Sequence, residues 1–450
     1  MSRDFREVGR ETPFLLPPSL QEWLPEDHLA RFVVEVVDSL DVSRLVSAYG
    51  HGGQRAYHPR MLLELLFYGY ATGVFSSHKL ERATRDSVAF RYIAANSHPD
   101  HDTIAAFRKR FVGEMQDLFV QILQTARAMG FVRLGGVSLD GTKVQANASK
   151  HKALSWAYAD RLEAQLKAEV ERLMALAEEA DEEAEIDIPE ELRRREDRLE
   201  AIRAAKAEME ARAAARHEDE EKAWREKMEA RAKREERSGR KSGGKPPSPP
   251  QAGPRGKNQV NLTDPESRIM KTADGFEQAY NAQAVVDNAS HLIVAAHVSD
   301  AVNDKRQVAA ALEHLEASAD AVGQPEAVLA DSGHHSAANL ALLEDHGLVP
   351  FIAEGREAHN RPLEERPGDP PALPADAGVV ARARHRMATP QGKAVYARRK
   401  ATVETVFGVI KEVMGFRRFH LRGLQAAGGE WTLVSLAWNL KRMHALAAGT

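Results

Sequence analysis

Three carboxylate side chains occupy positions where a sheet and a helix would bring them together. Asp140 comes at the end of a first strand and is followed by Gly141, which lets the backbone turn and leaves the carboxylate accessible. Asp331 is the first residue after the buried-type strand AVLA, and open α/β sheets bind ligands at the carboxyl ends of their strands. Glu404 lies on the helical segment ATVETVFGVIKEVMG. Three convergent carboxylates without His or Cys favour a hard cation, Mg²⁺ or Mn²⁺.

Each of these carboxylates also has a purely structural explanation. An Asp before a Gly most often marks a plain turn. Asp331 precedes Ser332 and could simply cap the helix that follows. Glu404 and Lys411 are seven residues apart, nearly two helical turns, and could form a solvated face. No single carboxylate therefore carries the interpretation.

Local charge separates these explanations better than the net charge of −4 does. Residues 382–422 contain eleven Lys or Arg against two acidic residues, and Glu404 is one of those two. Cations clustered around a metal-binding carboxylate indicate a polyanionic substrate whose phosphates Lys and Arg neutralise. Within this cluster we expect Lys411, Arg417 and Arg418 to contact the phosphates of such a substrate. A second basic run, residues 222–257, has twelve Lys or Arg against four acidic residues.

Hydrophobic periodicity divides the chain into five parts. Residues 1–130 alternate Pro-bounded turns with amphipathic runs and are predicted to form an all-helical N-terminal domain. Residues 131–150 read as the first strand of an α/β core, and residues 151–237 as two charged helices folded back into an antiparallel hairpin, broken near Ile186. Residues 238–257 read as a flexible basic Gly/Pro linker, and residues 258–450 as the rest of the core with C-terminal helices.

Composition excludes several classes of protein. The chain has no cysteine, which removes disulfide frameworks, thiol nucleophiles and Cys-ligated zinc. Its apolar runs are much shorter than the roughly 20 residues that a membrane span requires. The charged N-terminus has no apolar region behind it, so a secretory signal is not expected. We therefore expect a cytoplasmic protein with no membrane partner.

Several long segments resemble bacterial insertion-sequence transposases of the DDE class, most closely insertion-sequence family 1182. The resemblance extends from about residue 12 to residue 443 and is carried by the following segments: YHPRMLLELLFYGYATGVFSSHKLERA, PDHDTIAAFRKRF, VSLDGTKVQANAS, YNAQAVVD, ADSGHHSAANL, VETVFGVIKEVMGFRRFHLRG and AWNLKR. The resemblance implies an RNase H-like catalytic core with Asp140, Asp331 and Glu404 as its triad. It also implies two Mg²⁺ ions, with Mn²⁺ as a substitute.

The relatives carry a Tyr, Arg, Glu, Lys signature around the catalytic Glu. Glu404 and Lys411 match its second half. Tyr396 and Arg399 have the correct spacing from each other but lie one residue too far upstream of Glu404, and Lys400 stands at the expected Arg position.

The resemblance further implies double-stranded DNA partners, both transposon ends and target DNA, and a homodimer in the DNA complex. It places Arg108 in a helical DNA-binding portion, although an Arg on a helix face is more often only solvated. His334 and His335 could reach the site or could be exposed loop residues. Asp304, which follows a strand, could support the site or serve a turn.

Three functions remain open from the sequence. The first is a metal-dependent transposase of the nucleoid. The second is a catalytically silent DNA-binding relative, such as a repressor or a domesticated transposase, which would lack a triad member. The third is a helical scaffold protein, which leaves Asp140 and Asp331 unexplained.

Overall fold

The computed structural model describes residues 19–50, 56–179, 188–240, 242–272, 275–355, 370–374 and 376–449. The first 18 residues of the expected N-terminal domain, the break of the expected hairpin near Ile186 and most of a Pro-rich loop after residue 360 lie outside these ranges. The expected fold class, a mixed α/β protein with a helical N-terminal region, is confirmed.

Helices form the N-terminal region as the periodicity predicts. Short polar segments separate them, and side-chain caps begin several of them; Asp100, for example, accepts a hydrogen bond from the amide of Thr103. The helices are α1 (Leu20–Trp23), α2 (Leu29–Ser39), α3 (Ser43–Ser47), α4 (Pro59–Ala71), α5 (Ser77–Asp86), α6 (Val88–Ile93), α7 (His101–Phe111) and α8 (Met115–Ala128).

Within the described residues, six strands form one mixed sheet. Its members are β1 (Gly136–Gln145), β4 (Arg268–Thr272), β5 (Gly275–Asp287), β6 (Ile293–Ser299), β7 (Ala327–Ala330) and β8 (Val349–Ile352). β5 pairs antiparallel with β1, β4 and β6, while β1 pairs parallel with β7 and β7 pairs parallel with β8. The parallel pairs follow helical crossovers, which are α11 (Gln307–Val322) between β6 and β7 and α12 (Ala337–Asp345) between β7 and β8. This arrangement is consistent with an RNase H-like core.

The N-terminal helices are not a detached domain. One hydrophobic cluster contains Leu66 of α4, Phe119 of α8, Val285 of β5 and Trp431, which lies on the C-terminal helix α16 (Leu424–Ala447). The Tyr70 hydroxyl donates to Glu430 at 2.7 Å inside this core, and Glu430 is fully buried. Burial of this apolar surface therefore stabilises the sheet and the helical region together.

The charged insertion forms the antiparallel pair of helices that the sequence predicts. α9 (Trp156–Glu179) packs on the 51-residue α10 (Ile188–Ser238) through Leu162, Leu166 and Ile202. The direction follows from the ion pairs, since Glu169 meets Arg195 whereas the earlier Glu163 meets the later Lys206. A small sheet of β2 (Ala153–Ser155) and β3 (Gln259–Asn261) ties the two ends of the insertion together.

Residues 242–257 differ from the flexible linker expected there. They run back along α10, where side chains of the helix hold the backbone. The Trp224 indole donates to the Pro247 carbonyl at 2.8 Å, and Arg231 donates to the Ser242 carbonyl at 2.8 Å. Arg216 donates to the Gly253 carbonyl at 2.8 Å. Side chains of α10 thus fix this Pro- and Gly-rich segment, which has no internal hydrogen bonds. The composition of the segment does not predict these long-range contacts.

A broken helix carries the basic C-terminal cluster past the end of the sheet. α13 (Val379–Ala388) is followed by α14 (Pro390–Arg399), then by a π-helical turn over Lys400–Glu404, α15 (Thr405–Gly408) and a second π-helical turn over Val409–Val413. Val403, Val406 and Ile410 are buried against the main core. This packing fixes the height and rotation of the helix that carries Glu404.

Candidate active site

Asp140 lies in the middle of β1 and not at a turn, because the strand continues through Gly141 to Gln145. The sequence-based explanation of Gly141 is therefore wrong. A Cβ atom there would lie 2.0 Å from the Gln283 amide nitrogen and 2.7 Å from an Asp304 carboxylate oxygen, so a larger residue would displace these side chains. Asp304 also accepts hydrogen bonds from Gln283 at 2.7 Å and from Asn281 at 2.7 Å.

Asp140 and Asp331 follow directly paired residues of two parallel strands, Leu139 on β1 and Ala330 on β7. The pKa of the Asp140 carboxyl is raised above its usual value. Burial is the larger cause, and the negative charge of Asp331 is the second. The two aspartates thus lie where their charges repel, and a cation placed between them would relieve that repulsion.

The side chain of His334 holds Asp331. The His334 imidazole is fully buried, and its Nδ1 lies 2.8 Å from Asp331 Oδ1, which also accepts the Gly333 amide at 2.9 Å. The hydrogen bond from His334 lowers the pKa of Asp331. Asn339 donates to the His334 carbonyl at 2.7 Å and fixes the loop. His334 is therefore not the exposed loop residue that the sequence allowed.

The guanidinium of Arg399 joins Asp140 to Glu404. Its Nη1 donates to Asp140 Oδ2 at 2.9 Å and its Nη2 donates to Glu404 Oε1 at 3.0 Å. The side chain of Arg399 is only 10% exposed and that of Asp140 17%, whereas that of Glu404 is 50% exposed. Charge-assisted hydrogen bonds in such a sheltered position are stronger than on the surface. One side chain therefore couples a central strand to the C-terminal helical segment.

The π-helical turn explains why Arg399 reaches Glu404 despite the extra residue between them. In an α-helix the side chains at i and i+4 lie one above the other, and a π-helical turn moves that relation to i and i+5. Arg399 directly precedes the turn Lys400–Glu404, and Glu404, five residues later, is the last residue of the turn. Lys400, which stands at the expected Arg position, is exposed. The offset in sequence is thus absorbed by the backbone.

Two further residues of the expected signature lie beside this bridge. Tyr396 is half-buried, with the Arg399 guanidinium carbon 6.0 Å from its ring centroid, and burial raises the pKa of its hydroxyl. The Lys411 ammonium donates to the backbone carbonyl of Lys143 at 2.9 Å. Because Lys143 is three residues beyond Asp140 on β1, this contact places Lys411 beside the second half of the strand.

Of the three remaining residues expected to contact DNA, two are exposed and one is buried. Arg417 and Arg418 are exposed; Arg417 pairs with Glu412, and Arg418 donates to the Ala146 carbonyl at 3.3 Å. Arg108 is 8% exposed and donates to the Tyr70 hydroxyl at 3.1 Å and to the Phe75 carbonyl at 2.8 Å. Its guanidinium lies inside the protein and does not face a DNA backbone.

The donor chemistry of the site fits a hard divalent cation, with a condition. Asp140 and Asp331 offer carboxylate oxygens on neighbouring strands, the type of ligand that Mg²⁺ and Mn²⁺ prefer. Among the described residues, however, no three His, Asp or Glu side chains lie together as a ready metal site. The guanidinium of Arg399 lies between Glu404 and Asp140 and donates a hydrogen bond to each carboxylate. These bonds take up Asp140 Oδ2 and Glu404 Oε1.

Two family models match parts of this chain. Residues 18–110 match the family model described as Transposase domain (DUF772), and residues 252–440 match the one described as Transposase DDE domain. The second match includes Asp331 and Glu404, while Asp140 precedes it. No curated protein and no solved structure matches the chain.

Proposed function

With two matched domains that indicate an insertion-sequence transposase of the DDE class, we propose that this chain binds the terminal inverted repeats of its element and catalyses metal-dependent strand cleavage and strand transfer. We place the chemistry at Asp140, Asp331 and Glu404. We further propose that the element belongs to insertion-sequence family 1182, on the sequence segments described above.

One observation carries the proposal. Arg399 donates to Asp140 and to Glu404, residues that come from a central strand and from a helix near the end of the chain. Asp331 lies on the strand next to Asp140, and its charge acts on the Asp140 carboxyl. Arg399 and the pairing of β1 with β7 thus connect three acidic groups that are far apart in sequence, and cleavage of a phosphodiester by two metal ions would use such carboxylates.

The residues of the chain would divide the work as follows. Bound Mg²⁺, or Mn²⁺ in its place, would supply an activated water or 3′-hydroxyl and would stabilise the leaving oxygen in an in-line displacement at phosphorus. Asp140 and Asp331 would hold two ions between them, and Glu404 would complete the shell of one ion. His334 keeps the Asp331 carboxylate in a fixed orientation.

Contacts with DNA would come from Lys and Arg side chains around these carboxylates. Lys411 and Arg399 are placed to hold phosphates close to the scissile one, with Tyr396 packed beside Arg399. Lys400, Arg417 and Arg418 are exposed and would follow the backbone farther away. We expect transposon ends and target DNA as substrates and a homodimer in the DNA complex.

Location follows from the same partners. No helix among the described residues is long and apolar enough to span a bilayer. We propose that the protein acts in the bacterial cytoplasm, associated with the nucleoid, because its substrate is located there.

The experiment that tests the function is divalent-metal-dependent nicking of a plasmid that carries the ends of the element. Asp140→Asn keeps the shape of the side chain and removes the charge of a ligand. We expect nicking to be abolished while binding in a gel-shift assay persists. Cutting by this variant at the wild-type rate would place the metal site elsewhere.

A catalytically silent DNA-binding relative is not favoured. Such a protein would lack a member of the triad, and Asp140, Asp331 and Glu404 are all present. The nicking assay separates the two functions, because a silent relative would bind the same DNA without cutting it.

A further inference from the structure

The outer part of α10 and the segment that returns along it form an arm with unequal charge. We define the arm as residues 216–240 and 242–257 and its tip as residues 231–240 and 242–245. α9 begins at Trp156, whose ring lies 4.8 Å from the Lys206 ammonium, so α10 continues beyond its partner helix for some 30 residues. From that point the returning segment is the neighbour of α10, through the contacts of Arg216, Trp224 and Arg231.

Positive charge is concentrated at the tip. Residues 231–240 and 242–245 contain six Lys or Arg and two Glu, whereas residues 216–229 contain four Lys or Arg and six acidic residues. Lys233, Arg234 and Arg237 are exposed, and their spacing of three and four residues places them on one helix face. A uniformly solvated helix would not separate its charges in this way, because alternating signs along a face stabilise an isolated helix better.

The base of the arm lies against the catalytic core. Arg306 donates to Asp219 at 2.9 Å, and two residues earlier Asp304 lies 3.3 Å from the Lys143 ammonium on the strand that carries Asp140. Arg212 donates to the Gln259 carbonyl at 3.3 Å and anchors the helix just before the arm begins. The arm therefore leaves the protein next to the strand of the candidate active site.

We propose that the tip of this arm binds the phosphate backbone of double-stranded DNA at a distance from the cleavage point. Arg234 lies 15 residues beyond Asp219, about 22 Å at 1.5 Å per residue. That distance corresponds to roughly six or seven base pairs of B-DNA. The inference rests on the proposed function, since it names a second contact with the same polyanionic substrate.

The fixed return segment makes the arm suited to this task. Arg231 is half-buried because it holds the Ser242 and Gly244 carbonyls, so it keeps the tip closed while its neighbours face solvent. An ordered arm brings its cations to DNA with less loss of conformational entropy than a disordered basic tail.

The test uses two matched triple variants of the full-length protein. The first changes Lys233, Arg234 and Arg237 to Ala, and the second changes Lys222, Arg225 and Lys227 to Ala at the base. Both remove three positive charges from the same helix and introduce its best helix former. Binding to fluorescent duplexes, with and without the terminal repeat, is measured by anisotropy over a range of salt concentrations.

We expect the tip variant to bind both duplexes roughly ten- to a hundredfold more weakly at about 0.1 M salt and to flatten the log–log salt slope by about 2.7, or 0.9 for each of three phosphates. The base variant should change the slope by less than about one. On duplexes shortened by about 10 base pairs, one helical turn, from the end that the arm reaches, the two variants should bind alike.

Two results would overturn the inference. One is a tip variant whose salt slope equals that of the wild type. The other is a tip variant that binds DNA normally but no longer self-associates in sedimentation experiments without DNA, which would assign the tip to a second copy of the chain. A wild-type protein without salt-dependent DNA binding would instead refute the proposed function itself.

Discussion

The π-helical turn at Lys400–Glu404 allows the role of Arg399 to be tested by changing the length of the helix. Ala401 is exposed within this turn, so its removal takes away no buried contact. If the turn then closes to an α-helical turn, Arg399 comes four residues before Glu404, and the two side chains stay one above the other. We therefore predict that deletion of Ala401 preserves the bridge among Asp140, Arg399 and Glu404.

The size of the opposite effect follows from helix geometry. Adjacent residues of an α-helix are separated by about 100°, which at a side-chain radius of about 5–6 Å moves a head group by roughly 8 Å. Lys400 is therefore too far round the helix to replace Arg399. Loss of a hydrogen bond to a charged group costs about 1.5–3 kcal/mol. If one such bond acts in the transition state, Arg399→Ala should slow nicking by roughly ten- to a hundredfold.

The assay is plasmid nicking by four variants: Arg399→Ala, Lys400→Ala, the Ala401 deletion, and insertion of one Ala after Ala401. We expect Lys400→Ala and the deletion to stay within about threefold of the wild type, because each keeps the bridge and Lys400 would contribute only one phosphate contact away from the scissile bond. Arg399→Ala and the insertion should be slow, because each removes it. Thermal unfolding of each variant shows whether the helix is still folded.

Two outcomes would refute this reasoning. Lys400→Ala could reduce nicking as strongly as Arg399→Ala does, which would return the role to the residue at the α-helical spacing. Alternatively, the deletion could abolish nicking with an unchanged melting temperature, which would mean that the π-helical turn itself, and not the bridge, is required.

Two further predictions concern buried polar groups. His334→Gln should weaken Mn²⁺ binding, measured by calorimetry, by about 10–100-fold, because a side chain that orients a metal ligand is lost. The control is His335→Gln, one residue away, which should bind Mn²⁺ as the wild type does. Equal affinities of the two variants would exclude an orienting role for His334. Burial, aided by the charge of Asp38, raises the pKa of Glu64 to about 7. In the unfolded chain Glu64 ionises near pH 4.5, whereas in the folded protein it stays protonated up to about pH 7, so the stability of the wild type falls as the pH rises from 4.5 to 7. Glu64→Gln should therefore be more stable than the wild type by about 3 kcal/mol at pH 8 and by less than about 1 kcal/mol at pH 5, measured by urea unfolding. A difference in stability that does not depend on pH would contradict the assigned cause.

The parts of the fold that sequence predicts are those with strong apolar periodicity. β5, β6, β7 and β8 coincide with the apolar runs, and the proximity of Asp140 and Asp331 follows from parallel pairing of the strands before them. β4 and the small sheet of β2 and β3 are short and polar, and they carry no such signal. The register of β2 and β3 is fixed by a partner about 100 residues away, whereas β4 pairs with the adjacent β5.

Two errors in the sequence-based interpretation have different physical origins. Arg108 carried a usable signal, because Ile104, Phe107, Arg108 and Phe111 share one apolar helix stripe and Arg108 therefore faces the core. The segment 242–257 carried none: its composition is that of a linker, and only the side chains of α10 determine its path. The spacing of apolar residues along a helix can predict that a Lys or Arg side chain is buried. It cannot predict that a side chain will bind a backbone carbonyl that is distant in sequence.

Two places where the sequence breaks a local rule lie at the candidate site. Gly141 interrupts a central strand, where glycine costs stability, and it makes room for Gln283 and Asp304. The extra residue before Glu404 interrupts an α-helix, and the resulting π-helical turn lets Arg399 reach two carboxylates. Departures from local propensity are expected where a structure serves function at the cost of stability. Glycine in mid-strand and an added residue in a helix have no common structural cause, so their convergence on Asp140 independently supports the assignment of the site.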